Sequence, residues 1–312
     1  MITPTEELCW RTRGAIIPEH QLDIDKQIII DLESHYKSKG GCEGDFGNDA
    51  ELMFPTPKYS SINNMAVNRE LIAIAGQLLN GPPVLIQAVA WGKVAKDNTP
   101  MANNDQRMHM DYGNNSFVHP PPFSNPNVAA CIVYLSDTSI TGGGTSIVAR
   151  RGHQDKWYKS PYIKMPGQAG IEFINDRETA ERELKKSYAI NRDSLYAREE
   201  IPEYDVGDML WYRHDVWHRG TPVNKGHTRY VVSLAWKKPS ASICMWNAGF
   251  AKQMYYGWLE KFISKLNAYQ LYSIGFPHPL DSYWCRETIE GTHARLSDYG
   301  FDLHKYLASS II

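Results

Sequence analysis

The stretch RMHMDYG, residues 107–113, places His109 and Asp111 two positions apart in a segment too polar for a core strand. If the segment is extended, side chains two apart point the same way and the two Cα atoms lie about 6.5 Å apart. An imidazole and a carboxylate on one side of the chain can share a cation. Two protein ligands seldom hold a metal, so the pattern calls for a third, and GDMLWYRHDVWHRG (207–220) offers His218. Two histidines and one carboxylate on one face, with the other positions open to reactants, suit a non-haem Fe(II). A closed zinc site would instead use more sulfur or four protein ligands.

The chain beyond His218 bears on the same chemistry. The residues RGTPVNKGHT separate it from Arg229, and their Pro, Asn and Gly read as a loop between two antiparallel strands. With that hairpin centred between Val223 and Asn224, His218 and Arg229 become cross-strand neighbours on one side. The same register puts Trp211, Trp217, Tyr230, Val232, Leu234 and Trp236 on an apolar face, and Tyr212, His214, His218, Arg229 and Ser233 on the other. A guanidinium beside a metal-ligating histidine is suited to a metal-bound carboxylic acid, because its fork of donors matches carboxylate geometry.

The elements that must hold these residues are read from hydrophobic spacing. Residues 20–38 and 66–79 space their apolar side chains as amphipathic helices do, the first ending at Gly40 and Gly41. From 83 to about 238 the pattern becomes short strand-like runs divided by Gly, Pro and Asn: PVLIQAVAWGKV, VAACIVYL, AGIEFI, DMLWYRHDVWH and TRYVVSLAW. A charged, helix-prone segment at 176–200 interrupts them as an excursion on the surface or over a site. After Pro239 the run AKQMYYGWLEKFISKLNAY is again helical. Helices before and after many strands, without β-α alternation, predict a mainly β fold with flanking α-helices. The expectation is one domain over 1–312: a helical part (1–82), a double-sheet jelly-roll core (83–238) and a second helical part (239–312).

Composition narrows the partner. Lys and Arg number 33 against 35 Asp and Glu, so no charge excess points to nucleic acid or an anionic membrane, and a small molecule is the expected partner. No apolar run approaches the roughly 20 residues of a membrane-spanning helix. The opening MITPTEELCWRTRG lacks the basic-then-apolar order of a secretory signal, and a cytoplasmic protein is the expectation. Oligomeric state is left open. The five cysteines are scattered and never in C-x-x-C spacing, as expected of free or buried thiols. His214 lies four before His218, yet WYRHDVWH alternates like a strand and carries no HExxH glutamate. His119, His278, His293 and His304 fall in irregular segments. There is no nucleophile elbow, P-loop or dinucleotide fingerprint, and Gly142, Gly143 and Gly144 read as a turn.

Taken in order, four elements resemble the phytanoyl-CoA dioxygenase-like family of Fe(II)/2-oxoglutarate-dependent oxygenases. They are the H-x-D pair, LSDTSITGGGTSIVARRGH (135–153), VGDMLWYRHDVWH (206–218) and an arginine eleven residues past the last histidine. The resemblance covers about residues 84–238 and is specific because separated elements recur in sequence. It implies a double-stranded β-helix, the cupin-like jelly roll. It implies iron held by His109, Asp111 and His218, with Arg229 on the distal carboxylate of 2-oxoglutarate, O2 as co-reactant, and succinate and CO2 released. Thr145, Tyr134 and Gln106 are candidates for further cosubstrate contacts. Two positions depart from the family pattern: Arg150, Arg151, Gly152 and His153 replace the usual Pro-Gly-Ser-His, and Gly220 stands where a small hydroxyl residue is common. Neither is a ligand position.

Related halogenases replace the carboxylate ligand by Gly or Ala, so Asp111 points to hydroxylation, desaturation or oxidative ring closure. Near the expected metal, Arg107, Arg213 and His214 with many Tyr and Trp suit a compact polar metabolite bearing a carboxylate, such as an amino-acid derivative of specialised metabolism. Alternatives stand beside this one: an acyl-CoA hydroxylase of the same family, a catalytically silent jelly-roll binding protein, and a zinc or manganese hydrolase on the same triad, which would give Arg229 no task.

Overall fold

The computed structural model describes residues 1–39, 49–95, 108–111, 118–152, 154–158, 194–241, 258–273 and 276–310. The chain forms two compact units: one of Met1–Gln106, Val128–Ala149 and Arg198–Pro239, the other of Arg107–Asn127, Arg150–Ala197 and Ser240–Ile312.

The first unit begins with helices whose ends are written in the sequence. Helix α1 (Pro4–Arg13) starts at Thr3, whose hydroxyl accepts from the Glu6 amide while the Glu6 carboxylate accepts from the Thr3 amide. Helix α2 (Lys26–Ser38) is capped by Asp25 and buries Ile28, Leu32, His35 and Tyr36 along one stripe. The helix therefore begins six positions after the expected start at residue 20: the Leu22 amide is committed to the Gly207 carbonyl, and the Asp25 cap fixes where the helix begins. Helix α3 (Ser60–Ala66) ends where Asn68 caps α4 (Arg69–Leu79), accepting from the amides of Glu70 and Leu71. The expected helix over 66–79 is α4, which starts three residues later, at Arg69.

Among the described residues there are seven strands: β1 (Ala15–Ile16), β2 (Val84–Val94), β3 (Val128–Tyr134), β4 (Thr145–Ile147), β5 (Met209–Tyr212), β6 (His218–Gly220) and β7 (Thr228–Lys237). Of these, β2, β3, β5 and β7 lie in expected runs, and β1, β4 and β6 are additions. Five form an antiparallel sheet in the order β1-β5-β3-β7-β2, and β4 pairs antiparallel with β6 in a second sheet. Between β3 and β4 lies a short helix, α5 (Thr138–Thr141).

Alternation along the strands separates two cores. Ala129, Cys131, Val133, Met209, Trp211, Val232, Leu234 and Trp236 face the helices and pack with Trp10, Leu32, Leu71, Ile74 and Leu78. The other face carries Val89, Trp91, Ile132, Tyr134, Leu210, Tyr212 and Val231, and it packs with Ile147 of the second sheet and with Tyr204. Complete burial of a large apolar side chain stabilises by about 1.5–3 kcal/mol, so both layers draw on this strand phase. The result is a mainly antiparallel double-sheet core of jelly-roll type flanked by helices.

The second unit has its own apolar cluster. Helices α6 (Trp258–Ile263), α7 (Ala268–Ser273), α8 (Arg286–Leu296) and α9 (Leu303–Leu307) bring Ile263, Leu271, Leu296, Leu303 and Tyr306 together with Val118, Phe276 and Phe301. Gly291 lets α8 lie directly against His119: a Cβ there would come within 2.1 Å of the imidazole ring. The expected strand AGIEFI and most of the 176–200 excursion lie outside the described residues.

Candidate active site

In the second unit, the backbone of residues 108–111 alternates as the sequence requires. Met108 and Met110 are buried, and His109 and Asp111 are half-buried. His109 Nε2 lies 3.5 Å from Asp111 Oδ1. Two ligand atoms each about 2.1 Å from one ion and at right angles to each other sit about 3 Å apart, so this pair fits a shared cation with little adjustment. The Met108 amide donates to the Tyr196 hydroxyl at 3.0 Å, fixing the backbone immediately before His109.

In the first unit, His218 opens β6 and is buried. Its Nδ1 is 2.9 Å from the Val216 carbonyl. A carbonyl only accepts, so the imidazole proton sits on Nδ1 and the lone pair is on Nε2, the tautomer a metal ligand requires. The Tyr212 ring, 4.6 Å away between centroids, packs against the imidazole.

Arg229 is also buried, at 3% exposure, with its guanidinium 5.7 Å from the centre of the Trp91 ring. Gly143, at φ 75°, makes room for it: a Cβ would lie 3.4 Å from Arg229 Nε and 2.6 Å from Val223 Cγ2. Two tyrosines clamp Thr145 nearby. The Thr145 amide donates to the Tyr134 hydroxyl at 2.8 Å, and the Tyr204 hydroxyl donates to the Thr145 carbonyl at 2.7 Å. The two phenol rings stack at 3.9 Å. Burial raises the Tyr134 pKa, and the positive charge of Arg229 acts in the opposite sense, so Tyr134 stays a neutral hydroxyl beside a cation.

Several expectations need correction. His218 and Arg229 are not ladder neighbours: the partner of His218 is Ile147, and that of Arg229 is Lys93. The connecting loop does not close a hairpin because it is held by the glycine stretch. Val223 bridges Gly142, the Gly143 amide donates to the Pro222 carbonyl, and the Asn224 amide donates to the Thr141 carbonyl. The chain thereby passes from the small sheet to the large one. Trp217 is buried but stands apart from the helix-facing cluster that holds Trp211 and Trp236, because β5 ends at Tyr212 and its alternation stops there. Arg213, expected on the substrate side, is 1% exposed and forms a two-bond pair with Asp215, at 2.8 Å and 2.7 Å. Its guanidinium lies 5.8 Å from the ring of Trp10, on the helix-facing side.

His214 is buried in the turn between β5 and β6. Gln106, Arg107 and His153 lie outside the described residues. Two side chains not singled out by their spacing share the Arg229 face. Tyr204 is one, and the other is Lys93, buried and donating to the Thr221 carbonyl at 2.8 Å. The phase of β2 already carried the signal for Lys93, two residues past Trp91.

No protein-family model matches the chain, and no curated protein does. Solved structures do match in fold. The crystal structure of the non-heme alpha ketoglutarate dependent carbocyclase SnoK from nogalamycin biosynthesis aligns with a TM-score of 0.51 at 13% identity, over 76% of this chain and 84% of that one. HygX from Streptomyces hygroscopicus with iron bound aligns with a TM-score of 0.50 at 14% identity, over 79% of this chain and 90% of that one. The match to EvdMO1, at a TM-score of 0.47 and 14% identity, takes in 75% of this chain and spans only 50% of that protein's length. The likenesses to SnoK and HygX show a shared fold. Among the described residues, no helix is long and apolar enough to cross a membrane.

Proposed function

We propose that the protein is a non-haem Fe(II)/2-oxoglutarate-dependent oxygenase acting on a C–H bond of a small, polar, carboxylate-bearing metabolite, and that it belongs with the phytanoyl-CoA dioxygenase-like enzymes. In this reading His109, Asp111 and His218 hold the iron. The observation that carries it is the company His218 keeps within one unit: an imidazole fixed in the metal-ligating tautomer, and a buried arginine seated against a glycine turn beside a neutral tyrosine hydroxyl. SnoK is described as alpha ketoglutarate dependent and HygX as iron-bound, the same pair of cofactors this reading assigns here.

When bound, iron with 2-oxoglutarate and O2 supplies the oxidising chemistry, with succinate and CO2 as by-products. The chain's own residues do the rest. Arg229 offers its planar fork to the distal carboxylate of the cosubstrate, and burial at 3% exposure strengthens that contact by keeping water away. Tyr134 and Thr145 flank it. Trp91 and Tyr212 wall the same face and limit water near the reacting atoms. The carbonyl of Val216 holds the His218 ring in orientation. Arg107 and His214 are proposed for the main substrate and Gln106 for the cosubstrate. Arg213 is reassigned to support, since Asp215 takes its fork. Hydroxylation, desaturation and oxidative cyclisation all agree with a carboxylate at position 111.

The test is to incubate the protein with Fe(II), 2-oxoglutarate and O2 against a panel of small carboxylates and a panel of acyl-CoA thioesters, measuring succinate. Succinate above the substrate-free background with members of the first panel is expected. Stimulation by the thioesters alone would overturn the substrate class, and no succinate under any condition would overturn the reaction class.

A further inference from the structure

The segment at 196–200 touches each stretch that carries an expected ligand. Within the second unit, the Tyr196 hydroxyl accepts the amide of Met108, which is fully buried and immediately precedes His109. Within the first unit, the contacts are denser. Arg198 donates to the Ala149 carbonyl at 2.8 Å, just past β4. Glu199 takes a fork from Arg219, with Nε at 2.6 Å and Nη2 at 3.0 Å, and it also accepts from the Ser146 hydroxyl. Glu200 exchanges both backbone hydrogen bonds with Ile147, at 3.0 Å and 2.8 Å.

These contacts converge on one rung of the small sheet. Ser146 and Arg219 are ladder partners, and the adjacent rung is Ile147 with His218. Glu199 therefore clips both members of the rung next to the histidine. The clip is only 9% exposed on its carboxylate and 14% on its guanidinium, so it is a charge-assisted pair largely shielded from water. The ordinary explanation, strand stability, accounts for the Glu200 pairing. It does not call for a buried charge pair beside a ligand strand, nor for a tyrosine hydroxyl on the amide beside the other ligand pair.

We propose that residues 196–200 are a strap that sets both ligand-bearing segments, with Tyr196 positioning the His109 and Asp111 pair and Glu199, through Arg219, positioning His218. This rests on the assignment of His109, Asp111 and His218 as metal ligands. Neither Tyr196 nor Glu199 is itself a ligand; each acts through a neighbour that orients one, and loss of such orienting contacts costs about 10–100-fold in metal affinity.

Tyr196→Phe removes one oxygen, and Glu199→Gln keeps shape while removing charge. The full chain and both variants are titrated with Fe(II) under anaerobic conditions, and thermal midpoints and amide exchange are measured on the metal-free proteins. We expect Fe(II) affinity about 10-fold weaker in each variant, with faster exchange of the Met108 amide in Tyr196→Phe and across 218–220 in Glu199→Gln. Arg13→Gln, which breaks the half-exposed Arg13–Glu200 pair on the strap's outer side, leaves both readouts unchanged. A purely stabilising strap would lower the midpoints and leave metal affinity alone. Affinities within twofold of the parent, or unchanged exchange in both segments, would overturn the proposal. If the parent chain itself binds no Fe(II), the metal assignment fails, and the exchange data on metal-free protein then decide the strap alone.

Discussion

Replacing Arg213 by Met tests whether this cation is structural or meets substrate. Its side chain is 1% exposed and that of its partner Asp215 is 11% exposed, with the two joined by a pair of short hydrogen bonds. Breaking a buried ion pair from one side leaves the other charge stranded and costs about 3–5 kcal/mol. Asp215 reaches slightly toward water, which points to the lower end, about 3 kcal/mol for Arg213→Met. Asp215→Asn removes the acidic half of the same pair and should also lower stability. At about 2 °C per kcal/mol for a chain of this size, the thermal midpoint should fall by about 6 °C or more. The double variant Arg213→Met with Asp215→Leu should recover part of that loss, because no charge is left behind. Thermal and urea unfolding of the parent and these three variants gives the stability costs, and steady-state kinetics gives the main-substrate KM. A cost below about 1 kcal/mol for either single variant, or a raised KM at unchanged stability, would refute the structural assignment.

Other perturbations have equally definite outcomes. Arg229→Lys keeps the charge and loses the planar fork, so the KM for 2-oxoglutarate should rise about 10-fold or more while the main-substrate KM changes little, measured by succinate release. Tyr134→Phe leaves the buried Thr145 amide without its acceptor and should cost about 1–3 kcal/mol in urea unfolding. Gly143→Ala combines a left-handed backbone with a 2.6 Å approach to Val223 and should weaken 2-oxoglutarate binding by crowding Arg229, as read by calorimetric titration. Asp49 has a pKa of about 2: burial opposes its ionisation, but hydrogen bonds from Lys39 and His35 outweigh that. A depressed folded value means stability present above the ordinary 3.8 and lost as pH falls toward 2. Asp49→Asn should remove that part of the acid-induced drop in midpoint, about 1–2 kcal/mol after allowing for partial exposure.

The legible features were those written in local periodicity. The period of two in PVLIQAVAWGKV and TRYVVSLAW fixed β2 and β7 and predicted that Val232, Leu234 and Trp236 share a face toward the helices, as they do. Side-chain chemistry made Thr145, Tyr134 and Arg229 candidates, and the structure gathers them on the opposite face. Local pattern could not show partner choice. A Pro and Gly-bearing stretch between two strand-like runs looks like a hairpin, yet Val223 and Asn224 bind the Gly142 region and send the chain to another sheet. Likewise the alternation of WYRHDVWH held no sign that Arg213 would turn to Asp215 and end the strand. The role of Glu199 was hidden in a charged run, where one buried acid cannot be told from its solvated neighbours by composition.

The most direct test of the central claim is anaerobic titration of the metal-free protein with Fe(II) in the presence of 2-oxoglutarate, with stoichiometry and affinity compared across the parent chain, Asp111→Ala and His218→Ala. The account predicts one Fe(II) per chain for the parent and binding weakened more than about 100-fold in each variant, beyond what loss of an orienting neighbour costs, with metal-free thermal midpoints preserved. Full-affinity binding by either variant, or no stoichiometric binding by the parent, would contradict it.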